Sequence, residues 1–341
     1  MAIKTYIVTG GYGFIGSAVV RQLAASGHRV FNVDKQTYAA NPDALEGAAA
    51  TNVHACITDR GAMDAVFKAA QPDAVIHLAA ETHVDRSIDG PAAFIQTNVV
   101  GTSTLLEAAT AWWTGAERPA GFRFVHVSTD EVFGDLDLND EPFTAHTPYN
   151  PSSPYSASKA ASDHLARAWG RTYGLPVVVT NCSNNYGPWQ NAEKLIPTAI
   201  RKALSGADIP IYGTGENVRD WLYVEDHAAG LIAAAGADAG ATLLFGGKAE
   251  RSNLDLVKAI CARLDELRPS NHPYAEQIKF VTDRPGHDRR YAVDPSSAEK
   301  ALNWTRAHTL SEGLAATVTW YLAHLPEDVA NGDDRLGLGK T

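Results

Sequence analysis

Cysteine is scarce in this chain of 341 residues: Cys56, Cys182 and Cys261 are the whole set, odd in number and far apart. That excludes a disulfide scaffold and the clustered spacing of a zinc site, so no metal is expected. Basic charge is short too, with 29 Lys+Arg against 39 Asp+Glu and a formal net charge of −10. A surface this acidic offers little counter-charge to a phosphate backbone or an anionic membrane, so neither nucleic acid nor membrane is an expected partner. A locally positive pocket for a small anionic ligand stays open. Long apolar runs are also lacking. The longest small-apolar stretch, Ala228–Ala237, covers about half a membrane span, and Asp238 ends it. The opening MAIKTYIVTGGYGFIG has neither the apolar core nor the cleavage site of a secretory leader. A cytoplasmic globule is the expectation.

What is there is ordinary soluble composition, 45% hydrophobic and 20% charged, which argues against disorder and coiled coil. At about 100–200 residues per domain the length allows two domains, or one large unit with an appended lobe. Thr5–Thr9 reads as a buried strand and Phe14–Ser26 as a helix stopped by Gly27. Further strands are predicted at His28–Val33, Thr51–Ala55, Ala74–Leu78, Phe122–Ser128 and Val177–Thr180, with helices over 59–70, 91–113 and 153–174. Strands alternating with helices predict parallel βαβ units, hence an α/β fold with a doubly wound parallel Rossmann sheet. After about residue 181 Pro and Gly thicken and the rhythm becomes irregular, which predicts a smaller α/β lobe. Residues 225–246 again read as a helix and strand that could rejoin the first domain. The polar, Gly-rich segment 326–341 reads as a frayed tail.

Gly10-Gly11-Tyr12-Gly13-Phe14-Ile15-Gly16 follows the first strand and opens the first helix. Glycines there allow a tight turn and a close approach to a pyrophosphate. The helix start supplies free N–H groups and a partial positive charge. Asp34 ends the second strand, 18 residues after Gly16. A carboxylate at that place accepts from the adenosine ribose hydroxyls and repels a 2′-phosphate, so NAD is favoured over NADP. Lys35 is a mild counter-signal.

Tyr155 and Lys159 stand four apart in SPYSASKAASDHLA, on one helical face. A tyrosine, with an ordinary pKa of about 10, makes a poor base at neutral pH. A neighbouring ammonium is expected to lower it, letting the pair take a proton from a sugar hydroxyl. Ser128-Thr129-Asp130-Glu131 sits where the fifth strand ends, and ligands in doubly wound sheets bind beyond the carboxyl ends of strands. Two carboxylates in unlike surroundings can serve as acid and base. On spacing alone, a polar strand terminus with Asp130 capping a turn is equally open.

TGGYGFIG, HLAAETHVDRSI, TNVVGT, STDEVFG, SPYSASKAASDHL, NCSNNYGPWQ, EKLIP, VRDWLYVEDH and DRPGHDRRYAVD occur in this order. Together they resemble the extended short-chain dehydrogenase/reductase family, and within it the dTDP-glucose 4,6-dehydratases, from residue 3 to about 325. Thr-Asp-Glu before Val-Phe-Gly is the discriminating part. The resemblance implies that Tyr155, with Lys159, removes the O4 proton of a nucleoside-diphosphate glucose while hydride passes from C4 to NAD. Glu131 then takes the C5 proton, Asp130 protonates the departing C6 hydroxyl, and hydride returns to C6. Thr129 would hold O4.

The same resemblance implies cofactor contacts from Gly10, Gly13, Phe14, Ile15, Gly16, Asp34, Lys35, Thr37, Ile57, Leu78, Ala80, Asn98 and Asn184, besides Tyr155 and Lys159. Substrate contacts are implied for Thr82, Thr129, Asn184, Glu193, Lys194, Leu195, Arg219, His287 and Tyr291. Arg219 fits a diphosphate clamp, because guanidinium binds phosphate in a bidentate fashion; a surface ion pair with Asp220 or Glu216 is its alternative. His83, Asp85 and Arg86 could face the pocket or form a structural network. Trp112 and Trp113 read as packing. The implied division is a cofactor domain of 1–181 with about 225–248, and a sugar-nucleotide lobe of 182–224 and about 249–325. The implied assembly is a homodimer built on helices 91–113 and the Tyr155 helix.

Three positions depart from the family pattern. Cys56 stands where relatives commonly have Asp near adenine, Phe133 replaces a usual Tyr, and Ala249 replaces a usual Asn near the nucleotide. An NAD-dependent 4-epimerase or decarboxylase is the alternative on the same scaffold, and the Asp130–Glu131 pair argues against it. A non-catalytic NAD-binding regulator is argued against by the intact Thr129, Asp130, Glu131, Tyr155 and Lys159.

Overall fold

The computed structural model describes residues 2–283 and 286–325. Its strands are β1 (Thr5–Thr9), β2 (Arg29–Asp34), β3 (Thr51–His54), β4 (Ala74–His77), β5 (Arg123–Thr129), β6 (Val177–Cys182), β7 (Asn184–Tyr186), β8 (Ile209–Tyr212), β9 (Val218–Tyr223), β10 (Thr242–Phe245), β11 (Glu250–Ser252), β12 (Ile278–Val281) and β13 (Arg290–Tyr291). Seven of them form one parallel sheet in the order β10-β6-β5-β4-β1-β2-β3. The order reverses between β1 and β4, which is where an open α/β sheet leaves a crevice at its carboxyl edge. The expected doubly wound sheet is therefore present, with β10 as the strand that returns late in the chain. The tail over 326–341 lies outside the described residues.

The sheet is buried on both faces, and alternation along each strand divides its side chains between them. Tyr6 and Val8 join Val20 and Leu23 of helix Phe14–Ala25 and Leu231 of helix Val224–Ala234. Ile7, between them, joins Phe67 of helix Arg60–Ala70, Leu105 of helix Thr102–Gly115 and Ala166 of helix Pro154–Tyr173. Trp113 is buried in this second layer, and Trp112 packs against it beside Phe67 and Phe122, as packing residues.

The helix predicted over 91–113 is interrupted. Pro91–Phe94 is a short α turn, Ile95–Gly101 is a π-helical stretch, and only Thr102–Gly115 is regular α-helix. A π stretch adds one residue to a turn and re-aims side chains, which periodicity does not register. The Tyr155 helix starts cleanly: Ser153 and Ser156 cap it reciprocally, Pro154 opens it, and Gly174 closes it at φ 75°.

A third apolar cluster lies in the later half of the chain. It gathers Ile196 and Ile200, Ile209 and Ile211, Trp221, Leu256 and Ile260, and Val318. Two small sheets accompany it: β9 with β11, β13 and β7 at its sides, and β8 with β12.

Candidate active site

One cavity runs along the carboxyl edge of the sheet. Its wall includes Gly10, Gly13, Phe14, Ile15 and Gly16 at one end, and Asn184, Glu193 and Lys194 at the other. Asp34, Lys35, Thr37, Ile57, Leu78, Ala80, Thr82, Thr129, Asp130, Glu131, Tyr155 and Lys159 lie along it. The structure thus brings together most of the residues singled out from the sequence.

The cofactor end has the geometry that a dinucleotide requires. A Cβ on Gly16 would sit 2.1 Å from the Gly10 carbonyl oxygen, so the loop closes on the helix only with glycine there. Gly13 precedes the helix without a side-chain cap, and its first-turn residues Phe14 and Ile15 line the cavity. Uncapped N–H groups at a helix start suit a pyrophosphate. The Asp34 carboxylate accepts from Tyr12 N–H at 3.0 Å and Gln36 N–H at 2.7 Å, one on each oxygen. Each oxygen keeps a second lone pair, which fits a pair of ribose hydroxyls. Lys35 lies 3.5 Å from Glu81 and donates to Thr97 at 3.3 Å. Cys56 is not on the wall; its thiol is 3.1 Å from the Thr58 hydroxyl, while Ala55 and Ile57 face the cavity.

The catalytic end gathers where β5 meets the Tyr155 helix. Thr129, Asp130, Tyr155 and Lys159 are all buried, and Glu131 is half-buried. Burial, then the adjacent charge of Glu131, holds the Asp130 carboxyl well above its ordinary value. That shift favours the protonated form, which is the form an acid needs. Thr129 Oγ donates to Asp130 Oδ1 at 3.3 Å, whereas Asp130 Oδ2 is buried with no partner among the described residues. An orphaned carboxyl oxygen inside a cavity awaits a ligand group.

The Tyr155 phenol differs from expectation. Burial, then Glu131, raises it well above its ordinary value, and a hydrogen bond with Thr129 works the other way. Lys159 Nζ donates to the Val127 carbonyl at 2.9 Å, and burial lowers its own pKa.

Five predicted contacts lie outside the cavity wall. Asn98 is buried behind it, accepting from Glu81 N–H at 2.9 Å and donating to the Glu81 carbonyl at 3.0 Å and Ser158 Oγ at 2.8 Å. The π stretch carries it there, so it holds the wall rather than forming it. Leu195 opens helix Leu195–Leu204 and packs into the third apolar cluster. Arg219 is buried; it donates to the Val218 carbonyl at 2.7 Å and the Asp288 carbonyl at 2.9 Å, with its guanidinium 4.3 Å from the Tyr291 ring centre. The Asp220 carboxylate accepts from Gly247 and Ala249 N–H. Tyr291 donates to Asp288, and His287 pairs with Asp283 at 2.6 Å. Arg219 and Tyr291 still neighbour the acid pair, since Arg219 acts on the Asp130 charge and Glu131 on the Tyr291 phenol.

His83 and Arg86 resolve mainly toward a network. His83 accepts from Arg86 N–H and lies 3.6 Å from Glu193, while Arg86 reaches Glu193 at 3.3 Å and covers the Tyr38 ring at 3.9 Å. Phe133 is buried against Phe143 and Tyr149. Cavity residues missed in the sequence include Glu81, Cys182, Asn185 and Gln190. Glu81 and Cys182 lie at or just past the ends of β4 and β6, so the carboxyl-edge rule that found Thr129 would have found them.

Comparison with known proteins sharpens the reading. The family model described as GDP-mannose 4,6 dehydratase matches residues 7–317. A dTDP-glucose 4,6-dehydratase of Salmonella typhimurium is 53% identical over 334 residues, covering 93% of this chain and 92% of the relative. The crystal structure of DesIV, a dTDP-glucose 4,6-dehydratase from Streptomyces venezuelae solved with NAD bound, superposes with a TM-score of 0.85 at 42% identity, over 94% of this chain and 97% of that one. A UDP-glucose 4-epimerase from Thermotoga maritima gives a TM-score of 0.84 at 28% identity over 94% and 99%, so the backbone alone does not separate the two chemistries. The identity along nearly the whole length does: this chain belongs to the GDP-mannose 4,6-dehydratase family, on its dTDP-glucose 4,6-dehydratase branch.

Proposed function

We propose that this chain dehydrates dTDP-glucose to the 4-keto-6-deoxy sugar, as a hydro-lyase that uses NAD and regenerates it in each turnover. The observation that carries the reading is the buried Asp130 beside Glu131 on a wall shared with Tyr155. Bound NAD supplies a hydride acceptor at C4 and a hydride donor at C6. Tyr155 takes the O4 proton, and Thr129 orients that oxygen. Glu131 removes the C5 proton that the 4-ketone acidifies, Asp130 delivers its proton to the C6 hydroxyl as water leaves, and C5 takes a proton back as the hydride returns to C6. The free enzyme raises the Tyr155 phenol, so its function as a base relies on the ammonium of Lys159 and on groups brought by the ligands.

Glu193, Lys194 and Asn184 line the cavity, which supports assigning Glu193 and Lys194 to the sugar nucleotide and Asn184 to both ligands. Arg219, Tyr291 and His287 are assigned to the nucleotide side, reached from the second layer. The cofactor domain is 1–181 with 225–248, and the sugar-nucleotide lobe is 182–224 with 249–325.

A cytoplasmic homodimer completes the reading. Free Cys56, Cys182 and Cys261 support a reducing compartment. Exposed Ile95 and Val100, at 49% and 41%, and Tyr173, at 51%, support an apolar surface on the two helices that would pair. Among the described residues no helix is long and apolar enough to cross a membrane.

Incubation with dTDP-glucose in deuterated water, without added reductant, tests the reaction. A 4-keto-6-deoxy product with deuterium at C5 is expected. Formation of dTDP-galactose without deuterium at C5 would assign the epimerase chemistry instead.

A further inference from the structure

Tyr155, Lys159 and Asp163 follow at four-residue intervals along the Pro154–Tyr173 helix, so they stack on one face. Asp163 is completely buried. An ionised carboxylate in that position must be matched by hydrogen bonds and an opposite charge. The hydrogen bonds are present. Tyr149 Oη donates to Oδ2 at 2.7 Å, Asn181 Nδ2 donates to the same oxygen at 3.2 Å, and His126 Nε2 lies 3.0 Å from Oδ1. Burial opposes the charge, but the hydrogen bonds from His126 and Tyr149 and the charge of Lys159 hold the carboxyl below its ordinary value.

The opposite charge is the informative part. His126 is itself pushed down by burial, so its imidazole is neutral at neutral pH. Burial raises the Tyr149 phenol, which is neutral as well. Asn181 and the nearby Ser162 carry no charge. The cations around this cluster are Lys159 and Arg167, and Arg167 lies over the Tyr149 ring at 5.1 Å. Seen from Lys159, burial works to strip its proton, and Asp163 is the foremost group that works to keep it. Cys182 acts in the same sense, but its thiol is raised by burial and stays uncharged. His77, also near, is neutral because of burial. The network also reaches the catalytic strand: Asn181 Nδ2 donates to the Thr129 carbonyl at 3.0 Å.

We infer that Asp163 is a positioning residue for the reaction: its buried negative charge keeps Lys159 an ammonium beneath Tyr155, and through Asn181 it fixes Thr129 against the same helix. This rests on the roles given above to Tyr155 and Lys159. It assigns a task to a residue that the Tyr-x-x-x-Lys spacing leaves out.

The test compares D163N with Y149F in the NAD-loaded enzyme, using dTDP-glucose across pH. D163N removes the charge and keeps an oxygen to accept from Tyr149 and Asn181. Y149F removes a hydrogen bond and keeps the charge. For D163N, kcat is expected to fall about tenfold or more with KM within about twofold. Its alkaline limb moves down by about one pH unit or more, because the ammonium loses its proton more readily. The limb of Y149F stays with the wild type. A D163N limb that coincides with the wild type overturns the inference. A K159M variant with full turnover overturns the underlying reading instead, whatever D163N does. If D163N does not fold, the 13C carboxyl resonance of Asp163 in the wild type, identified by its displacement in Y149F, decides the matter. It must report an ionised group at the pH of turnover, and a protonated one sinks the inference.

Discussion

Asp130 and Glu131 are consecutive residues on one cavity wall, yet only Asp130 is fully withdrawn from water. The strand end turns directly into a short helical turn, Asp130–Phe133, whose N–H at Glu131 is accepted by the Thr129 hydroxyl at 3.3 Å. That turn sends the two carboxyls into unlike surroundings, and unlike surroundings divide acid from base.

Replacing Glu131 by Gln should remove the proposed C5 base and leave the oxidation at C4 intact. Turnover is expected to fall by about 10²–10⁴-fold. Rapid mixing with dTDP-glucose should still give the absorbance of reduced cofactor, and solvent deuterium should not enter C5. Wild-type turnover in this variant would remove Glu131 from the C5 step.

The Asp130 carboxyl holds its proton more tightly in the folded chain than in the unfolded one. Its contribution to stability is therefore complete below the ordinary carboxyl value of 3.8 and is lost as pH rises toward the raised folded value. The variant D130N cannot ionise. Urea titrations should show it gaining stability on the wild type as pH rises through that window, while its turnover falls. An advantage that instead grew toward acid pH would contradict the raised value.

Gly16→Ala forces a Cβ to within 2.1 Å of the Gly10 carbonyl oxygen. The loop must shift away from the helix start, at a cost of about 1–3 kcal/mol. Calorimetry should find weakened NAD binding together with a lowered melting temperature.

Asn98→Ala leaves the Glu81 N–H and carbonyl without their side-chain partners. A stability loss of about 1–3 kcal/mol is expected. Because the side chain stands behind the wall, the unfolding transition should respond more strongly than the affinity for NAD. The reverse order would restore Asn98 as a direct cofactor contact.

Much of the site was legible because its chemistry is local. The turn from Gly10 to Gly16, Asp34 at its strand end and the Tyr155–Lys159 spacing depend on neighbours in sequence, and each lines the cavity. What escaped depends on depth. Asn98 sits on a π stretch that shifts it one layer back. The Tyr155 phenol is governed by burial, which no spacing reports. Arg219 looked like a surface partner of Asp220 or a clamp; in place it is a buried plate on Tyr291. Phe133, a departure on paper, is simply packed against Phe143 and Tyr149.

The edge strand β10 reaches β6 only after the chain has travelled through β7, β8 and β9. All six residues of β6 are buried, so a fragment ending at Cys182 would expose an apolar edge with unpaired backbone groups. Neither half of the molecule can be cut free with a single break. Heat should therefore melt both together in one cooperative transition. A sugar nucleotide, whose proposed contacts lie largely in the later half, should raise the melting point of the NAD-binding sheet by mass action.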